Sequence, residues 1–203
     1  MECVTDTSTD THRGRPGYSR ADVIRAAIKA FNTRGYEATS MGVVANDLGI
    51  SKSALYHHIS SKEEILEETV SRAMGQLEDV VAEAQAADAT PAEQIAMLVR
   101  GSVHVLCSDP ESVALLLRLR GNSEVEERAL ERRRALTRSV IPMVKQAQET
   151  GDIRNDLEAA TLTRLAFGMV NSVSDWYEPG GKFGAEDIAN SVERLLFGGL
   201  SPR

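Results

Sequence analysis

The sequence predicts an all-α protein of about nine helices, and three observations lead to this fold class. Apolar residues recur at every third or fourth position in one segment after another, which is the spacing of a helix face. Most of these segments begin at a serine, threonine or aspartate and end near a glycine or proline, as helices do. No segment shows the strict alternation of apolar and polar residues that marks a half-buried strand.

The first four predicted helices lie in the N-terminal part of the chain, and each follows a serine whose side chain can cap it. These serines are Ser19, Ser40, Ser51 and Ser61. Asp22 and Glu64 stand three residues after their serines, where they complete capping boxes. Gly35 ends the first helix, Gly49 ends the second, and the third helix is very short.

The same signals predict five more helices in the rest of the chain. They run from Pro91 to about Cys107, from Pro110 onward, from about Ser123 to Thr150, from Asp156 to about Tyr177, and from about Ala185 to Phe197. Thr90 and Asp109 each precede a proline at the first helical position, where the missing N–H costs nothing. Pro142 lies inside a predicted helix, where it removes a backbone hydrogen bond and predicts either a kink or a break.

The formal net charge of −7 is divided unevenly along the 203 residues. Residues 13–62 carry eight lysines and arginines against three acidic residues, a net charge of +5. Residues 63–203 carry fifteen basic against twenty-four acidic residues, a net charge of −9, and residues 1–12 carry −3. A basic segment beside an acidic body indicates that only the basic segment meets a polyanion such as nucleic acid.

Residues 40–59 have the spacing of a helix-turn-helix motif, with a tight turn at Leu48–Ser51. The second helix of such a motif places its N-terminal residues against base edges in the major groove. With about 100° per residue and Leu55 pointing inward, the outer face carries Ser53, Tyr56 and His57. Their hydroxyl, phenol and imidazole groups can donate to phosphates or bases. Lys62, at the start of the next helix, can pair with a phosphate.

Three strings around this motif can be compared with a known family: Ala38-Thr39-Ser40-Met41, the segment Leu48–Ile59 that reads LGISKSALYHHI, and the segment Lys62–Leu66 that reads KEEIL. With these strings, residues 24–66 resemble the DNA-binding domain of the TetR family of bacterial repressors. Ser53, where glycine is common, and Ile59, where phenylalanine is usual, depart from the family pattern. The resemblance implies an all-α homodimer whose first three helices bind DNA and whose remainder binds a ligand and forms the dimer.

The motif and the resemblance together identify the residues expected to contact DNA. They are Thr39, Ser40, Ser51, Lys52, Ser53, Tyr56, His57 and Lys62. We expect a disordered tail at residues 1–18, a helix-turn-helix domain at residues 19–66, and a ligand-binding and dimerisation domain at residues 67–203. The homodimer is expected to form through the last two helices, whose apolar residues at helical spacing would make a four-helix seam.

Two groups of residues in the acidic part allow two interpretations each. His104 and Cys107 lie on a predicted helix that is apolar on nearly every side, so they are either core residues or the lining of a ligand cavity. The arginines between Arg118 and Arg138 form either a solvated face of ion pairs or a group that grips the phosphates of an anionic effector. The sequence leaves both alternatives open.

Two short stretches bear on the effector. Leu116–Asn122 and Trp176–Gly181 are similar to TetR-type regulators that respond to acyl-CoA thioesters. This similarity implies an acyl-CoA or a similar anionic amphiphile, with its apolar part inside the body and its phosphates at the arginines. The expected ligand-binding residues are Met97, Leu98, His104, Arg118, Arg132, Phe167, Val170, Asn171 and Trp176.

Two other function classes compete with a ligand-responsive regulator. A small all-α enzyme is disfavoured because the sequence has no glycine-rich phosphate loop, no histidine pair at i and i+4, no Cys-x-x-Cys and no Ser/His/Asp set. A constitutive architectural DNA binder is disfavoured because the large acidic part repels DNA. We expect no cofactor, and no metal at His57 and His58, because side chains of adjacent helical residues diverge by about 100°.

The sequence also predicts a cytoplasmic protein. The first 18 residues lack the apolar core of a signal peptide. The longest aliphatic run, Val113–Leu117, is far shorter than the roughly 20 apolar residues of a membrane-spanning helix. Cys3 and Cys107 are the only cysteines, which indicates a reducing compartment without a structural disulfide.

Overall fold

The structure, a computed structural model, describes residues 18–199, and over this range it consists of nine α-helices and a short 3₁₀ turn, without a strand. The helices are α1 (Arg20–Arg34), α2 (Met41–Leu48), α3 (Lys52–Tyr56), α4 (Lys62–Ala86), α5 (Pro91–Ser108), α6 (Pro110–Leu117), α7 (Glu124–Glu149), α8 (Ala159–Ser172) and α9 (Ala185–Gly198). The 3₁₀ turn, Val173–Asp175, follows α8 directly. The all-α prediction is confirmed, whereas the tail predicted for residues 1–18 lies, apart from Tyr18, outside the described residues.

Most helices begin where the sequence signals place them. The Ser19 hydroxyl accepts a hydrogen bond from the backbone N–H of Asp22, and the Asp22 carboxylate accepts one from the backbone N–H of Ser19. Gly49 follows α2 with a φ of 66°, a left-handed conformation that favours glycine. The side chains predicted to cap other helices also accept hydrogen bonds, at Ser40, Ser51, Ser61, Thr90 and Asp109. Ser123, predicted as the approximate start of a helix, caps α7 in the same way.

The start of α8 and the middle of α7 differ from the predicted helices. The cap predicted at Asp156 is wrong, because α8 begins at Ala159 and its N-cap residue makes no side-chain capping bond. The Asp156 carboxylate instead accepts two hydrogen bonds of 2.7 Å from Arg154, which hold it away from the helix N-terminus. Helix α7 runs through the exposed Pro142 as one helix, so the predicted alternative of a break is wrong as well.

Helices α1, α2 and α3 share an apolar core that continues into the first turns of α4. Leu55 of α3 is fully buried in this core, and Phe31 of α1 is nearly so. Arg20 joins α1 to α4 through ion pairs with Glu64 and Glu68, at 2.9 Å and 2.5 Å. The domain division predicted between residues 66 and 67 falls inside α4, so the N-terminal helices and the body share that helix.

The body of the molecule is built around α4, α5 and α7, with α8 packed on α7 and α9 packed on α5. Helix α6 is short and packs against both α1 and α4. It therefore connects the interior of the body with the N-terminal helices. No helix within residues 18–199 is both long and apolar enough to cross a membrane.

Candidate DNA-binding surface and ligand cavity

Helix α3 presents polar groups to solvent on the face predicted to contact DNA. Leu55 anchors the helix in the core, whereas Tyr56 on the opposite side is 50% exposed. Lys52, Ser53 and His57 are exposed as well. The cap residue Ser51 is exposed at the N-terminus of the helix, where its hydroxyl accepts a hydrogen bond of 3.1 Å from the Ala54 N–H. The face carries an ammonium, hydroxyls, a phenol and an imidazole, which are donor groups suited to phosphates and base edges.

The side chain of Lys52 extends from α3 across the N-terminus of α2. A Cβ atom added to Gly42 would come within 2.6 Å of Lys52 Cε and 3.1 Å of Lys52 Nζ, so the lysine occupies the space that glycine leaves free. Ser40, the exposed cap of α2, stands at the same helix N-terminus. A helix N-terminus and an ammonium group both favour anions, so this corner of the surface is electrostatically suited to a phosphate.

Lys62 joins the start of α4 to the loop between α1 and α2. Its Nζ lies 4.3 Å from the centroid of the Tyr36 ring and donates a hydrogen bond of 3.3 Å to the Tyr36 carbonyl oxygen. The Glu37 carboxylate is 3.8 Å away. An ammonium has three donors, so Lys62 retains donors for a phosphate while these contacts hold its position.

A small cavity of about 60 Å³ lies inside the body, where α4, α5, α6, α7 and α8 meet. Most of its wall is apolar and consists of Leu77, Leu106, Val113, Leu116, Leu117, Leu136, Phe167 and Val170. The polar residues that also line it are Ser102, Arg133, Thr137 and Asn171. This space has room for only a few water molecules, whereas the sites of drug-sized ligands measure about 300–1,000 Å³.

Arg133 of α7 brings a positive charge into the cavity wall. It is partly buried, and Nη1 donates a hydrogen bond of 3.3 Å to the backbone carbonyl of Leu116, near the end of α6. Burial and the neighbouring Arg134 lower the pKa of this guanidinium, which nevertheless stays protonated. No carboxylate among residues 18–199 forms an ion pair with Arg133. The cavity wall therefore contains a cation whose charge these residues do not neutralise.

Helix α6 lies between this cavity and α1. Val113, Leu116 and Leu117 form part of the cavity wall. At the ends of the same helix, Asn32 of α1 donates a hydrogen bond of 2.8 Å to the Glu111 carbonyl, and Arg118 donates one of 3.1 Å to the Asn32 carbonyl. A displacement of the cavity wall at α6 therefore acts directly on these two hydrogen bonds to α1.

The outer side of α8 and α9 carries an exposed apolar surface. Its most exposed members are Leu165, Trp176, Phe183, Leu195 and Phe197. A groove between the two helices is lined by Met169, Val173, Ile188 and Val192 together with Trp176, Phe183 and Leu195. Contiguous apolar patches of this kind on a protein surface mark interaction sites.

Comparison with known proteins identifies the family. Residues 23–69 match the model described as bacterial regulatory proteins of the tetR family, and residues 88–200 match the one described as a tetracyclin repressor-like C-terminal domain. The second match covers more than half of the 203 residues. This chain belongs to the TetR family. It is a DNA-binding transcriptional regulator, and the interpretation as an enzyme is set aside.

Solved and curated relatives match this TetR-family regulator over most of their length. A TetR-family member from Streptomyces coelicolor A3 is 40% identical, with a TM-score of 0.83 and coverage of 95% of this chain and 98% of that one. The structure of AibR in complex with isovaleryl coenzyme A and operator DNA is 25% identical, with a TM-score of 0.73 and coverage of 88% and 97%. The fatty acid metabolism regulator protein of Bacillus subtilis (strain 168) is 24% identical, with coverage of 92% and 96%.

Most of the residues predicted to contact DNA lie together on one surface of the TetR-family fold, and Thr39 does not. Thr39 is 1% exposed, and its hydroxyl donates a hydrogen bond of 2.7 Å to the Gly35 carbonyl. In this structure Thr39 holds the loop before α2 and does not face solvent. The other predicted residues are exposed on this surface, with one exception: Ser40, Ser51, Lys52, Ser53, Tyr56 and His57. The exception is Lys62, which is partly buried and lies at the border of the surface.

The predicted ligand-binding residues fall into two groups. Phe167, Val170 and Asn171 line the cavity together. The structure places the others outside the cavity: Met97 and Trp176 are exposed, Leu98 is in the core, His104 pairs with Glu186 at 3.1 Å, Arg118 contacts α1, and Arg132 contacts α4. Cys107 is buried, which raises the pKa of its thiol and favours the interpretation as a core residue.

Most of the clustered arginines are engaged in ion pairs. Arg128 pairs with Glu67, Arg132 with Glu78, and both Arg134 and Arg138 with Glu131. The pair between Arg132 and Glu78 is bidentate, with hydrogen bonds of 3.0 Å and 2.8 Å. This geometry supports the solvated face of ion pairs for these four residues. Arg118 differs, because it forms no ion pair within the described part of the chain.

Two polar residues in the interior were missed by the sequence reasoning. Arg133 lies on the apolar stripe of α7, at helical spacing from Ala129, Leu136 and Val140. This spacing indicates in the sequence that Arg133 faces the interior. Glu126 is 3% exposed and accepts hydrogen bonds from three successive backbone N–H groups, at residues 120–122. An acidic residue in the first turn of a helix is ordinary, so the burial of Glu126 had no signal in the sequence.

Proposed function

We propose that this regulator is a homodimeric repressor that an acyl-CoA thioester releases from its operator. The observation that carries the proposal is that α6 forms both a wall of the internal cavity and a hydrogen-bonded contact with α1 of the DNA-binding helices. The identity of the effector is supported by the relatives, which include AibR bound to isovaleryl coenzyme A and a fatty acid metabolism regulator.

DNA binding is assigned to the exposed surface of α2 and α3 and to the start of α4. Its members are Ser40, Ser51, Lys52, Ser53, Tyr56, His57 and Lys62. The N-terminal turn of α3 would enter the major groove, while the ends of α2 and α4 meet phosphates. Thr39 would act indirectly, because its buried hydroxyl supports the loop that places Ser40.

Dimerisation is assigned to the apolar surface of α8 and α9. Leu165 is 59% exposed and Trp176 is 55% exposed, although both have large apolar side chains that a partner would cover. Two such surfaces related by a two-fold axis make the four-helix seam predicted from the sequence. A two-fold dimer also lets one short recognition helix gain specificity, because each protomer reads one half-site.

Release follows from the small size of the cavity. A space of about 60 Å³ cannot hold an acyl chain unless its walls move apart. Helix α6 forms part of the wall and is hydrogen-bonded to α1, so a ligand that displaces α6 as the cavity expands also favours a different position of α1. A differential affinity of this kind shifts the population of DNA-binding conformers, and typical coupling energies are about 1–3 kcal/mol.

The proposal is tested by measuring operator release. Operator duplexes are selected from a random library with the purified protein, labelled, and followed by fluorescence anisotropy as octanoyl-CoA, octanoate or free CoA is added. We expect the thioester to lower operator affinity by about 5- to 150-fold, and octanoate and free CoA to act more weakly. The acyl-CoA assignment fails if thioesters of several chain lengths leave operator binding unchanged.

The contribution of the CoA phosphates is tested with the double variant Arg118→Ala, Arg132→Ala. Binding of octanoyl-CoA to DNA-free protein is measured, because Arg118 also contacts α1 and could alter release by itself. We expect weaker binding of the thioester and unchanged binding of octanoate. Arg154→Ala is the control, since Arg154 is exposed and pairs with the neighbouring Asp156. Unchanged thioester binding would assign both arginines to the solvated face.

A further inference from the structure

Three polar residues of the cavity wall, Ser102, Arg133 and Asn171, have hydrogen-bonding groups without partners among residues 18–199. The guanidinium of Arg133 makes one hydrogen bond, to the Leu116 carbonyl, although it carries five N–H donors. Ser102 and Asn171 line the same cavity, and within residues 18–199 their side chains make no hydrogen bond. Ser102 is buried and Arg133 and Asn171 are partly buried, so the donors that lack a protein partner are available to a ligand that enters the cavity and supplies acceptors.

The charge of Arg133 narrows the chemistry of that ligand. A partly buried cation without an acidic partner is unfavourable, and burial together with Arg134 lowers the pKa of its guanidinium. A neutral carbonyl oxygen supplies an acceptor but leaves the charge uncompensated. A carboxylate supplies acceptors and also a negative charge that compensates the guanidinium. Its two oxygens match the two parallel N–H donors of the planar guanidinium.

Resting on the proposed function for the location of the effector site, we propose that the effector carries a carboxylate at its buried end and that this carboxylate pairs with Arg133. The phosphates of CoA are a poor fit for the same position. The diphosphate lies between the adenosine and the pantetheine, and the third phosphate is on the ribose of the adenosine. These groups are too bulky for the interior, so the buried end belongs to the acyl part. The inducing ligand is therefore either a half-thioester of a dicarboxylic acid or a free apolar acid.

A pair between the ligand carboxylate and Arg133 would also affect α6, the part of the cavity wall that is hydrogen-bonded to α1. In this structure Arg133 donates a hydrogen bond to the Leu116 carbonyl, near the C-terminal end of α6. A carboxylate that competes for the guanidinium releases this carbonyl, and α6 loses a contact with α7. The same group that recognises the ligand thus controls one restraint on α6.

The test compares ligands that differ only in the terminal carboxylate. Dissociation constants and operator release are measured for octanedioyl-CoA, with one end free, against octanoyl-CoA, and for octanoate against the neutral octanamide; the twelve-carbon pairs repeat the comparison. We expect the wild-type protein to bind the ω-carboxylated member of the CoA pair about 10- to 100-fold more tightly, as for a charge-assisted hydrogen bond. Stronger release by octanoate than by octanedioyl-CoA would identify the free acid as the source of the carboxylate.

Variants of Arg133 show whether the preference comes from this residue. Arg133→Met should abolish the preference for the ω-carboxylated ligand. Arg133→Lys should retain part of this preference, because lysine keeps the positive charge but lacks the planar pair of N–H donors. Arg134→Met is the matched control, since Arg134 is exposed on the same helix and should keep the full preference. Without ligand, Arg133→Met should melt at the wild-type temperature or above it, because it removes an unneutralised charge. A lower melting temperature with an unchanged ligand preference would make Arg133 a structural residue.

The outcomes separate this inference from the proposed function. Equal affinity for octanoyl-CoA and octanedioyl-CoA in the wild-type protein, with operator release by both, contradicts the pair between a ligand carboxylate and Arg133. The same result supports release of the repressor by an acyl-CoA. Binding of octanoate that depends on Arg133, without binding of any CoA thioester, supports the pair between the carboxylate and Arg133 and contradicts acyl-CoA as the effector. Binding of neither type of ligand overturns both.

Discussion

The DNA-binding helices and the body of this TetR-family regulator present their functional residues in opposite ways. On α2 and α3 the functional groups point outward, and short-range caps such as Ser40 and Ser51 position them. In the body, by contrast, Phe167 and Arg133 reach the same cavity from different helices, 34 positions apart in the chain. One region is an exposed polar surface, and the other is a cavity inside the body whose wall comes from several helices.

This difference explains which region can be recognised in the sequence. A surface held by local caps is encoded within about twenty consecutive residues, 40–59, so its pattern is specific. A cavity is defined by long-range packing, which no local pattern records. The two regions are joined by α6, through Asn32 and Arg118, and by α4, which the N-terminal helices and the body share. Substitutions confined to the body or to the DNA-binding helices, followed by measurements of operator affinity and effector sensitivity, test this difference.

The largest effect is expected at the apolar surface of α8 and α9. Leu165→Glu places a charge on an exposed apolar position that a second protomer would bury, and each protomer would carry it. We expect a monomer by sedimentation at micromolar concentration and loss of operator affinity by about 10³-fold or more, toward non-specific binding. Met97→Glu is the control, because Met97 is exposed on α5 and does not line the α8–α9 groove. A dimeric Leu165→Glu protein with full operator affinity contradicts the proposed interface.

The second effect separates the cavity from the DNA-binding surface. Thr137→Met adds volume to a side chain that lines the cavity, at an expected cost of about 1–3 kcal/mol in the free energy of unfolding. The effector concentration needed for operator release should rise by about tenfold or more, while operator affinity without effector stays within about twofold. Ser139→Met, on the exposed side of α7, is the matched control. Unchanged effector sensitivity in Thr137→Met would move the ligand to another site.

The third effect concerns single phosphate contacts on the DNA-binding surface. Lys62→Ala should weaken binding to all DNA sequences by about 5- to 10-fold and reduce the salt slope by about 1, as loss of one charged phosphate contact does. Tyr56→Phe removes one hydroxyl donor and should also weaken all sequences. Lys29→Ala is the control for the change in charge, because Lys29 is exposed on α1. Wild-type affinity and salt slope in both Lys62→Ala and Tyr56→Phe would show that the face is assigned wrongly.

The fold was largely predictable because the helix boundaries carry local chemistry. The caps at Ser19, Thr90 and Asp109 form as the residue types require, and the all-α class followed from periodicity. The start of α8 was not predictable in this way. Asp156 is a good cap by type, but Arg154 two residues earlier holds its carboxylate, and the sequence alone does not show which partner wins.

The candidate site was predictable only in part for a related reason. Phe167, Val170 and Asn171 share one helix and follow its inward face, so they were found together. The arginine cluster was ambiguous because its partners, such as Glu78 for Arg132, lie more than fifty residues away. Arg133 was counted among these exposed arginines, although its position on the apolar stripe of α7 distinguishes it from them.

The smallest expected effect tests the connection between the two regions at Asn32. Its Nδ2 donates a hydrogen bond to the Glu111 carbonyl, while its Oδ1 is buried without a hydrogen-bond partner in the described part of the chain. Asn32→Ala therefore removes one hydrogen bond and also one unsatisfied acceptor, so the free energy of unfolding should change by less than about 1 kcal/mol. The Arg118 bond to the Asn32 carbonyl remains, because it involves only the backbone.

Because α6 then contacts α1 through fewer hydrogen bonds, the coupling between effector and operator should fall in Asn32→Ala by about 0.5–1 kcal/mol, a two- to five-fold smaller change in operator affinity on saturation with effector. Thr33→Ala is the matched control, since the Thr33 hydroxyl donates only to the Lys29 carbonyl within α1. The double variant with Arg118→Ala removes both bonds and should lower the coupling further than either single change. If the double variant couples as the wild-type protein does, the signal from the cavity reaches the DNA-binding helices through α4 instead.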